Sequence, residues 1–412
     1  TRRSSDLQKN SRLQLNKFFI PLVIFEIVVA ICCYQGVVRS YNATMFALSY
    51  KYGFTSRSLL GTIYQGLNDI IPFDMMNYDS VFVFANVITV IFFVIVMAFT
   101  YYILTHIDAD KRHTCLYLLF FFDTFVVSTF FAGFNFMRVD LFMIIIAIAS
   151  AFLICKGRLE WLIIPLSMLG VMFHQGFVFM YFNVALVLLI YQAFTTKNYK
   201  KYVTIAALSF IAVSVLFVWF EFFSRSNGMS IYEEVVNNAR RLTYNGQYHN
   251  TLIAHEVLGI DLSTSESEWH KMNVFQWGFF TILFIPFIVI FVRFFINVFK
   301  QTNKLRERFK YLCVLLGSLT MLPDFLLKID FGRWVMAVMV YYILVICAPV
   351  VLRDEIIIKA LDKMYVNIKA KSWRIFLLLY PIMFIPLCDT DIDGFTQQLS
   401  SWLNHIVGWY SF

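Results

Sequence analysis

Long apolar runs separated by short polar or basic segments repeat along the whole chain of 412 residues. An apolar run of about 20 residues can cross the roughly 30 Å hydrocarbon core of a bilayer as one helix. We therefore predict an all-α polytopic membrane protein with about eleven transmembrane helices. The predicted spans lie at 18–38, 80–105, 114–134, from the segment NFMRVDLF to Cys155, twice within 161–194, and at 202–224, 274–296, 311–327, 334–352 and 374–389.

The apolar stretch 161–194 decides the topology of everything after it. As a single helix its 34 residues would be roughly 51 Å long, well beyond a hydrocarbon core of about 30 Å. Two short spans that turn at Phe173-His174-Gln175-Gly176 fit the bilayer better. With that turn, most of the basic residues fall on one side of the membrane, which the positive-inside rule identifies as cytoplasmic together with the N-terminus.

No separate soluble domain interrupts this pattern, so we predict one integral membrane domain, 1–412. Residues 39–79 have the spacing of interfacial amphipathic helices. The segment 225–272 is predicted to be a large extracytoplasmic loop, in which Ser230 to Glu233 form a capping-box pattern that opens a helix. The segment 353–373 is predicted to be a basic amphipathic helix on the cytoplasmic side.

Composition excludes several classes of protein. The chain is 60% hydrophobic and 19% aromatic, more apolar than soluble proteins, of which about half the residues are apolar. The seven cysteines lie in or beside apolar runs, which argues against a disulfide framework and a cysteine metal site. The net charge of +8 is concentrated in the cytoplasmic segments, so we predict no nucleic-acid partner. We predict no metal or cofactor.

The segment PDFLLKIDFGRW, between two apolar runs, carries Asp324, Lys328, Asp330 and Arg333. A charge that faces lipid costs a few kcal/mol, so such groups pair with one another or line a polar cavity. This segment alone leaves a functional site and a short loop with a structural ion pair equally open.

The predicted topology places further polar residues on the same outer face. Each has a structural alternative: Arg138 and Asp140 could form an ion pair or an interface anchor, His174 could cap a helix, and Arg240 and Arg241 could be a solvated helix face. The converging residues are Arg57, Asp69, Asp74, Asp79, Arg138, Asp140, His174, Arg240, Arg241 and the segment PDFLLKIDFGRW. Asp123 and Glu221, inside predicted spans, either pair structurally or support the cavity.

An outer cavity with several arginines beside interfacial aromatic residues suits an amphiphilic anionic substrate, and polyprenyl-linked sugars have this character. Arg57, Arg138 or Arg333 could hold the phosphate groups, because a guanidinium fork matches phosphate oxygens. Lys328, Arg240 and Arg241 are the other candidate substrate-binding residues.

The run NFMRVDLFMIIIAIASAFLICKGRLEWLIIPLSMLGVMFHQGFVFMYF resembles the EpsG-like and Wzy-type polysaccharide polymerases. In those families an arginine opens an outer-facing span, a basic cytoplasmic turn follows, and a phenylalanine-histidine pair comes about 35 residues later. Arg138, Lys156, Arg158, Phe173 and His174 occupy these places. The DFGRW segment is also similar to a late outer loop of such enzymes. The pattern of an arginine followed eleven residues later by glycine, found in some Wzy-type outer loops, is absent.

The resemblance implies a GT-C-like bacterial inner-membrane glycosyltransferase that joins polyprenyl-pyrophosphate-linked oligosaccharide units for capsule, exopolysaccharide or O-antigen synthesis. Its implied partners are the lipid-linked donor and acceptor, the bilayer, a chain-length regulator and a flippase. Arginines would stabilise the leaving pyrophosphate, and a general base is needed. The candidates for the base are His174, Asp140, Asp324 and Asp330.

Two alternatives remain. A GT-C transferase could use a polyprenyl-monophosphate sugar, with Asp69, Asp74 or Asp79 as the base. A transporter or flippase for lipid-linked sugars would instead spread its charges through the bilayer depth and often break its helices at the midplane.

Overall fold

The computed structural model describes residues 2–34, 36–107, 112–131, 135–224, 228–259, 266–327 and 331–369. These residues are all-helical, with 84% helix and no strands. The α-helices are α1 (Arg2–Cys33), α2 (Ser40–Thr44), α3 (Ser58–Ile70), α4 (Tyr78–His106), α5 (Arg112–Phe131), α6 (Asp140–Lys156), α7 (Ile163–Phe173), α8 (Phe177–Met180), α9 (Phe182–Thr195), α10 (Tyr199–Phe222), α11 (Met229–Leu242), α12 (Asn250–Ile253), α13 (Glu266–Gln301), α14 (Leu305–Leu316), α15 (Leu322–Leu327), α16 (Phe331–Val351) and α17 (Glu355–Lys369).

Five helical segments of the described chain are long and apolar enough to cross a membrane. They are Tyr78–His106, Phe177–Thr195, Tyr199–Phe222, Phe284–Gln301 and Gly332–Val351. Helices α4 and α10 leave large apolar side chains more than half exposed, among them Val94, Phe210 and Val215. Contiguous exposed apolar surface of this kind is typical of a face that contacts lipid. The all-helical membrane class expected from the sequence is therefore compatible with the fold.

Helix α16 is the most buried of these five segments and lies at the centre of the bundle, packed against α5, α6, α9, α13 and α17. Helix α6 contacts both α9 and α16. Because α6 and α16 are neighbours, polar residues at their first turns can meet across the interface.

The predicted break within 161–194 is confirmed. Helix α7 ends at Phe173, and α8 begins at Phe177. A Cβ atom on Gly170 would lie 2.6 Å from the Phe177 ring, so the chain after the break passes too close to α7 for any side chain there. Both α7 and α9 pack against α6 and α10.

The span predicted over 311–327 is not one regular α-helix. Helix α14 ends at Leu316, a 3₁₀ turn covers Gly317–Met321, and α15 begins at Leu322. A Cβ atom on Gly317 would lie 2.1 Å from the Tyr341 hydroxyl and 2.5 Å from Val187. The neighbouring helices α9 and α16 therefore approach the chain where glycine leaves room, and the helix is interrupted at this point.

The segment 225–272, which was predicted to be a large loop, contains several helical elements. It contains α11, a 3₁₀ turn at Tyr244–Gly246, α12 and a π-helix at Ala254–Leu258. Its last residues, from Glu266, belong to α13, so that helix begins earlier than the predicted span. The capping box at Ser230 is wrong, because α11 begins at Met229 after Gly228 and has no side-chain cap.

The helix predicted within 353–373 is confirmed as α17, up to Lys369. Its N-terminus is capped by Asp354, whose Oδ1 accepts hydrogen bonds from the backbone N–H groups of Ile356 at 2.9 Å and Ile357 at 3.1 Å. The apolar face of α17 packs against α5, α13 and α16. Residues 370–373, the predicted span 374–389 and the C-terminal residues lie outside the described residues.

Candidate functional site

The carboxylate of Asp140 joins two arginines that are far apart in sequence. Its Oδ2 lies 3.1 Å from Nε of Arg138 and its Oδ1 lies 2.6 Å from Nε of Arg333. Asp140 is the first residue of α6, where a negative charge is favoured by the helix dipole. Arg333 lies in the first turn of α16. The packing of α6 on α16 thus builds a buried triplet with one net positive charge.

All three side chains of this triplet are buried, so each charge depends on its neighbours within the protein rather than on water for stabilisation. Asp140 is 0% exposed, Arg138 4% and Arg333 5%. Charges taken out of water require partners, and in this triplet two guanidinium groups share one carboxylate. The guanidinium of Arg333 would attract an anion placed beside it. Of the two alternatives left open for Arg138 and Asp140, the structure has the ion pair, and Arg333 is an additional partner of Asp140.

Arg333 also lines a cavity of about 240 Å³. The polar side chains on its wall come from five different parts of the chain: Arg57, His174, Gln175, Glu221, Asp324 and Arg333. Aromatic side chains complete the wall, including Tyr41, Phe217 and Trp334. Arg138 lies behind Tyr41, with its guanidinium carbon 5.9 Å from the centre of that ring. Four predicted site residues therefore share this cavity, and Arg138 and Asp140 support it from behind.

The environment of His174 indicates which ring nitrogen carries the hydrogen. His174 is the residue at the end of α7, and its Nδ1 accepts a hydrogen bond from the backbone N–H of Gly176 at 2.9 Å. A nitrogen that accepts a hydrogen bond carries no hydrogen, so the neutral ring carries it on Nε2. In this tautomer Nε2 donates a hydrogen bond, which suits binding of an anion better than removal of a proton.

Arg57 is fixed in place by both its backbone and its side chain. Its φ of 64° lies in the left-handed region, which non-glycine residues occupy at a cost of about 1 kcal/mol or more. Its Nη1 pairs with Glu256 Oε1 at 3.1 Å, and the same oxygen lies 3.2 Å from Nδ1 of His255. This contact ties the segment before α3, which places Arg57 on the cavity wall, to the π-helix of the 225–272 segment.

An apolar groove of about 360 Å³ adjoins the polar cavity. It is formed by α13, α14, α15 and α16. Leu322 and Phe325 line the groove, while Pro323 and Asp324 between them line the cavity. On α16 the division repeats, with Trp334 on the cavity and Val335 on the groove. The rings of Phe325 and Trp334 meet edge to face at 5.1 Å and separate the two spaces.

The remaining predicted site residues are not brought to this cavity. Arg240 lies over the ring of Tyr248 at 5.6 Å, and Arg241 pairs with Asp74 at 3.0 Å on the exposed surface. Asp69 and Asp79 are exposed and do not line the cavity. Lys328 and Asp330 lie outside the described residues.

The sequence left open whether Asp123 and Glu221 pair structurally or support the cavity. Asp123 accepts hydrogen bonds from Thr100 at 2.8 and 3.0 Å, and Glu26 on α1 accepts one from Thr124 at 2.5 Å. Both carboxyls are fully buried and neither lines the cavity. Glu221 does line it. Its only indication in the sequence is its place as a carboxylate close to the end of an apolar run.

Comparison with protein-family models, curated proteins and solved structures finds no match to this chain. The chemistry of the cavity therefore has to carry the functional conclusion.

Proposed function

We propose that this protein is a membrane glycosyltransferase of the polysaccharide-polymerase type, which joins polyprenyl-pyrophosphate-linked oligosaccharide units. The observation that carries the proposal is the shared wall between a polar cavity containing Arg333, Arg57 and His174 and an apolar groove. A site with this division suits a ligand that has an anionic head, a polar sugar and a hydrocarbon tail. The groove, at about 360 Å³, is within the usual range of about 300–1,000 Å³ for ligand sites.

In the proposed reaction an acceptor sugar hydroxyl attacks the anomeric carbon of the donor. The bond from that carbon to the pyrophosphate oxygen breaks, and its electron pair leaves with the lipid pyrophosphate. Arg333 stabilises the charge that develops on the leaving group, and His174 Nε2–H donates a hydrogen bond to it. Asp140 holds Arg333 in position through Oδ1, and Arg138 pairs with Oδ2 of the same carboxylate.

The direction of the site follows from the topology proposed above. With eleven spans and a cytoplasmic N-terminus, the starts of α6 and α16 and the 225–272 segment all face outward. The active site is then extracytoplasmic, in a bacterial inner membrane, and serves capsule, exopolysaccharide or O-antigen synthesis. A GT-C-like arrangement is part of the proposal. A chain-length regulator and a flippase are its proposed partners.

The monophosphate variant has less support. It requires Asp69, Asp74 or Asp79 as the base, and these residues do not line the cavity. Asp74 is instead paired with Arg241.

A lipid-linked sugar transporter is the second candidate, and one observation favours it. Glu26 and Asp123 are buried carboxyls on α1 and α5, away from the cavity. Charges at more than one depth are expected along a translocation path.

The two candidates are separated by incubating the purified protein in lipid nanodiscs with a lipid-pyrophosphate-linked repeat unit and resolving the products on a gel. A ladder spaced by one repeat is the expected result. Arg333→Ala should abolish the ladder, whereas Arg241→Ala, a surface arginine in an exposed ion pair, should leave it intact. Movement of the lipid-linked sugar between leaflets of vesicles, without any product, would replace the proposal with the transporter.

A further inference from the structure

The proposed transfer needs a group that accepts the proton of the attacking hydroxyl, and among the described residues Asp140, His174 and Asp324 are poorly suited to this task. Asp140 is fully buried, and both of its carboxylate oxygens face arginine Nε atoms. A carboxylate held between two guanidinium groups in this way has no exposed oxygen for a substrate. Its position fits orientation of Arg333.

His174 and Glu256 are also committed to other contacts. Nδ1 of His174 accepts the Gly176 N–H, so the opposite nitrogen carries hydrogen and cannot take up a proton. Glu256 is paired with Arg57 and contacts His255. Asp324 lines the cavity but already has a partner within the protein.

Glu221 differs from these groups. It lies one helical turn after Phe217 on α10, and both side chains line the cavity. Glu221 forms no ion pair or hydrogen bond with another described residue, and its side chain is exposed. A carboxylate near the end of an apolar helix is costly if it faces lipid, so a cavity that admits water and substrate hydroxyls explains its position.

We propose that Glu221 is the catalytic base, and that its carboxylate accepts the proton of the acceptor sugar hydroxyl. The O–H bond of the acceptor breaks as its oxygen forms the new bond to the anomeric carbon, and the proton passes to Glu221. The departing pyrophosphate takes the electron pair of the old bond toward Arg333 and His174. The base and the leaving-group residues come from different elements, since Glu221 lies on α10, His174 follows the last residue of α7 and Arg333 lies on α16.

This inference rests on the proposed transferase, and its test separates the two. Ladder formation is first measured with the wild-type protein in nanodiscs. If the wild type makes no product with its lipid-linked repeat unit, the transferase itself fails. If the wild type is active, the Glu221 variants decide the role of the carboxylate.

A general base contributes about 10²–10⁴-fold to a rate, so Glu221→Gln should lower kcat by about 100-fold or more with little change in the donor KM. Glu221→Asp should retain an intermediate rate because it keeps the carboxylate. The matched control is Glu233→Gln, an exposed carboxylate on α11 that does not line the cavity.

A second measurement distinguishes a base from a structural residue. Glu221→Ala leaves space beside the acceptor site, and added formate should restore part of its turnover while leaving Glu233→Ala unchanged. Wild-type kcat in Glu221→Gln would overturn the proposal. A slow Glu221→Ala that formate does not accelerate, with an equally slow Glu221→Asp, would also overturn it.

Discussion

Nε of Arg333 lies 2.6 Å from Oδ1 of Asp140, and the two residues are 193 positions apart in the chain. This contact joins the first turn of α16 to the first residue of α6. Arg138 occupies the other carboxylate oxygen. The relationship fixes an arginine at the wall of the cavity through a carboxylate that does not itself line the cavity.

Removing Asp140 should destabilise the protein strongly. Loss of one partner from a buried ion cluster typically costs about 3–5 kcal/mol, and Asp140→Ala takes the shared carboxylate away from two buried guanidinium groups. Chemical unfolding in mixed micelles, followed by circular dichroism, measures the loss in the free energy of unfolding. Asp74→Ala removes an exposed ion pair with Arg241 and should cost about 1 kcal/mol or less. Equal costs for the two variants would contradict the buried triplet.

The tautomer assigned to His174 predicts a difference between two amide substitutions. The side-chain amide of asparagine can take the place of Nδ1, and that of glutamine can place an N–H near Nε2. If donation from Nε2 is what the reaction needs, His174→Gln should retain more turnover than His174→Asn or His174→Ala. Polymerisation in nanodiscs measures this order. Turnover in His174→Asn together with an inactive His174→Gln would show that the bond to Gly176, not donation from Nε2, is what matters.

The apolar groove predicts sensitivity to the length of the lipid. Val338 lines the groove, and Val338→Phe should narrow it. We expect a raised KM for a donor with a long polyprenyl chain and little change for a donor with a short one. Val215→Phe is the control, since Val215 is 64% exposed on α10, outside the groove. An equal rise in KM for both donors would show that the polyprenyl chain binds outside this groove.

Asp354 predicts a pH-dependent part of the stability. Burial by itself raises the pKa of Asp354, but hydrogen bonds from Tyr191 and Tyr311 and the ammonium of Lys310 at 3.0 Å together hold this pKa below its usual value. A depressed pKa contributes stability above the unfolded-state value of about 3.9, and this contribution disappears as the pH falls through the folded-state pKa.

At neutral pH, Asp354→Asn should therefore lower the free energy of unfolding, by about 1.5–3 kcal/mol for the loss of charged hydrogen bonds. The gap between variant and wild type should narrow as the pH falls below about 4. Unfolding in micelles at several pH values measures it. A gap that is constant from pH 7 to pH 3 would assign the effect to packing.

Some features of this protein are local properties of the sequence. The all-helical class, the break after Phe173 and the helix after Asp354 follow from the length and spacing of apolar residues, which set how a segment meets a bilayer or a protein core. The pairing of Arg138 with Asp140 could also be considered from the sequence, because the two residues are near neighbours. The interruption at Gly317 could not be predicted from the sequence, since it depends on how closely Tyr341 and Val187 approach that glycine.

The composition of the cavity depended on packing in the same way. The sequence by itself determined which charged and polar residues lie near the ends of apolar segments, because the length of an apolar segment depends only on consecutive residues. Only the tertiary structure decided that Arg333 meets Asp140, that Arg57 meets Glu256, and that Glu221 rather than Arg240 or Arg241 lines the cavity. These partners come from distant helices, and contacts between them are set by which helix faces pack together.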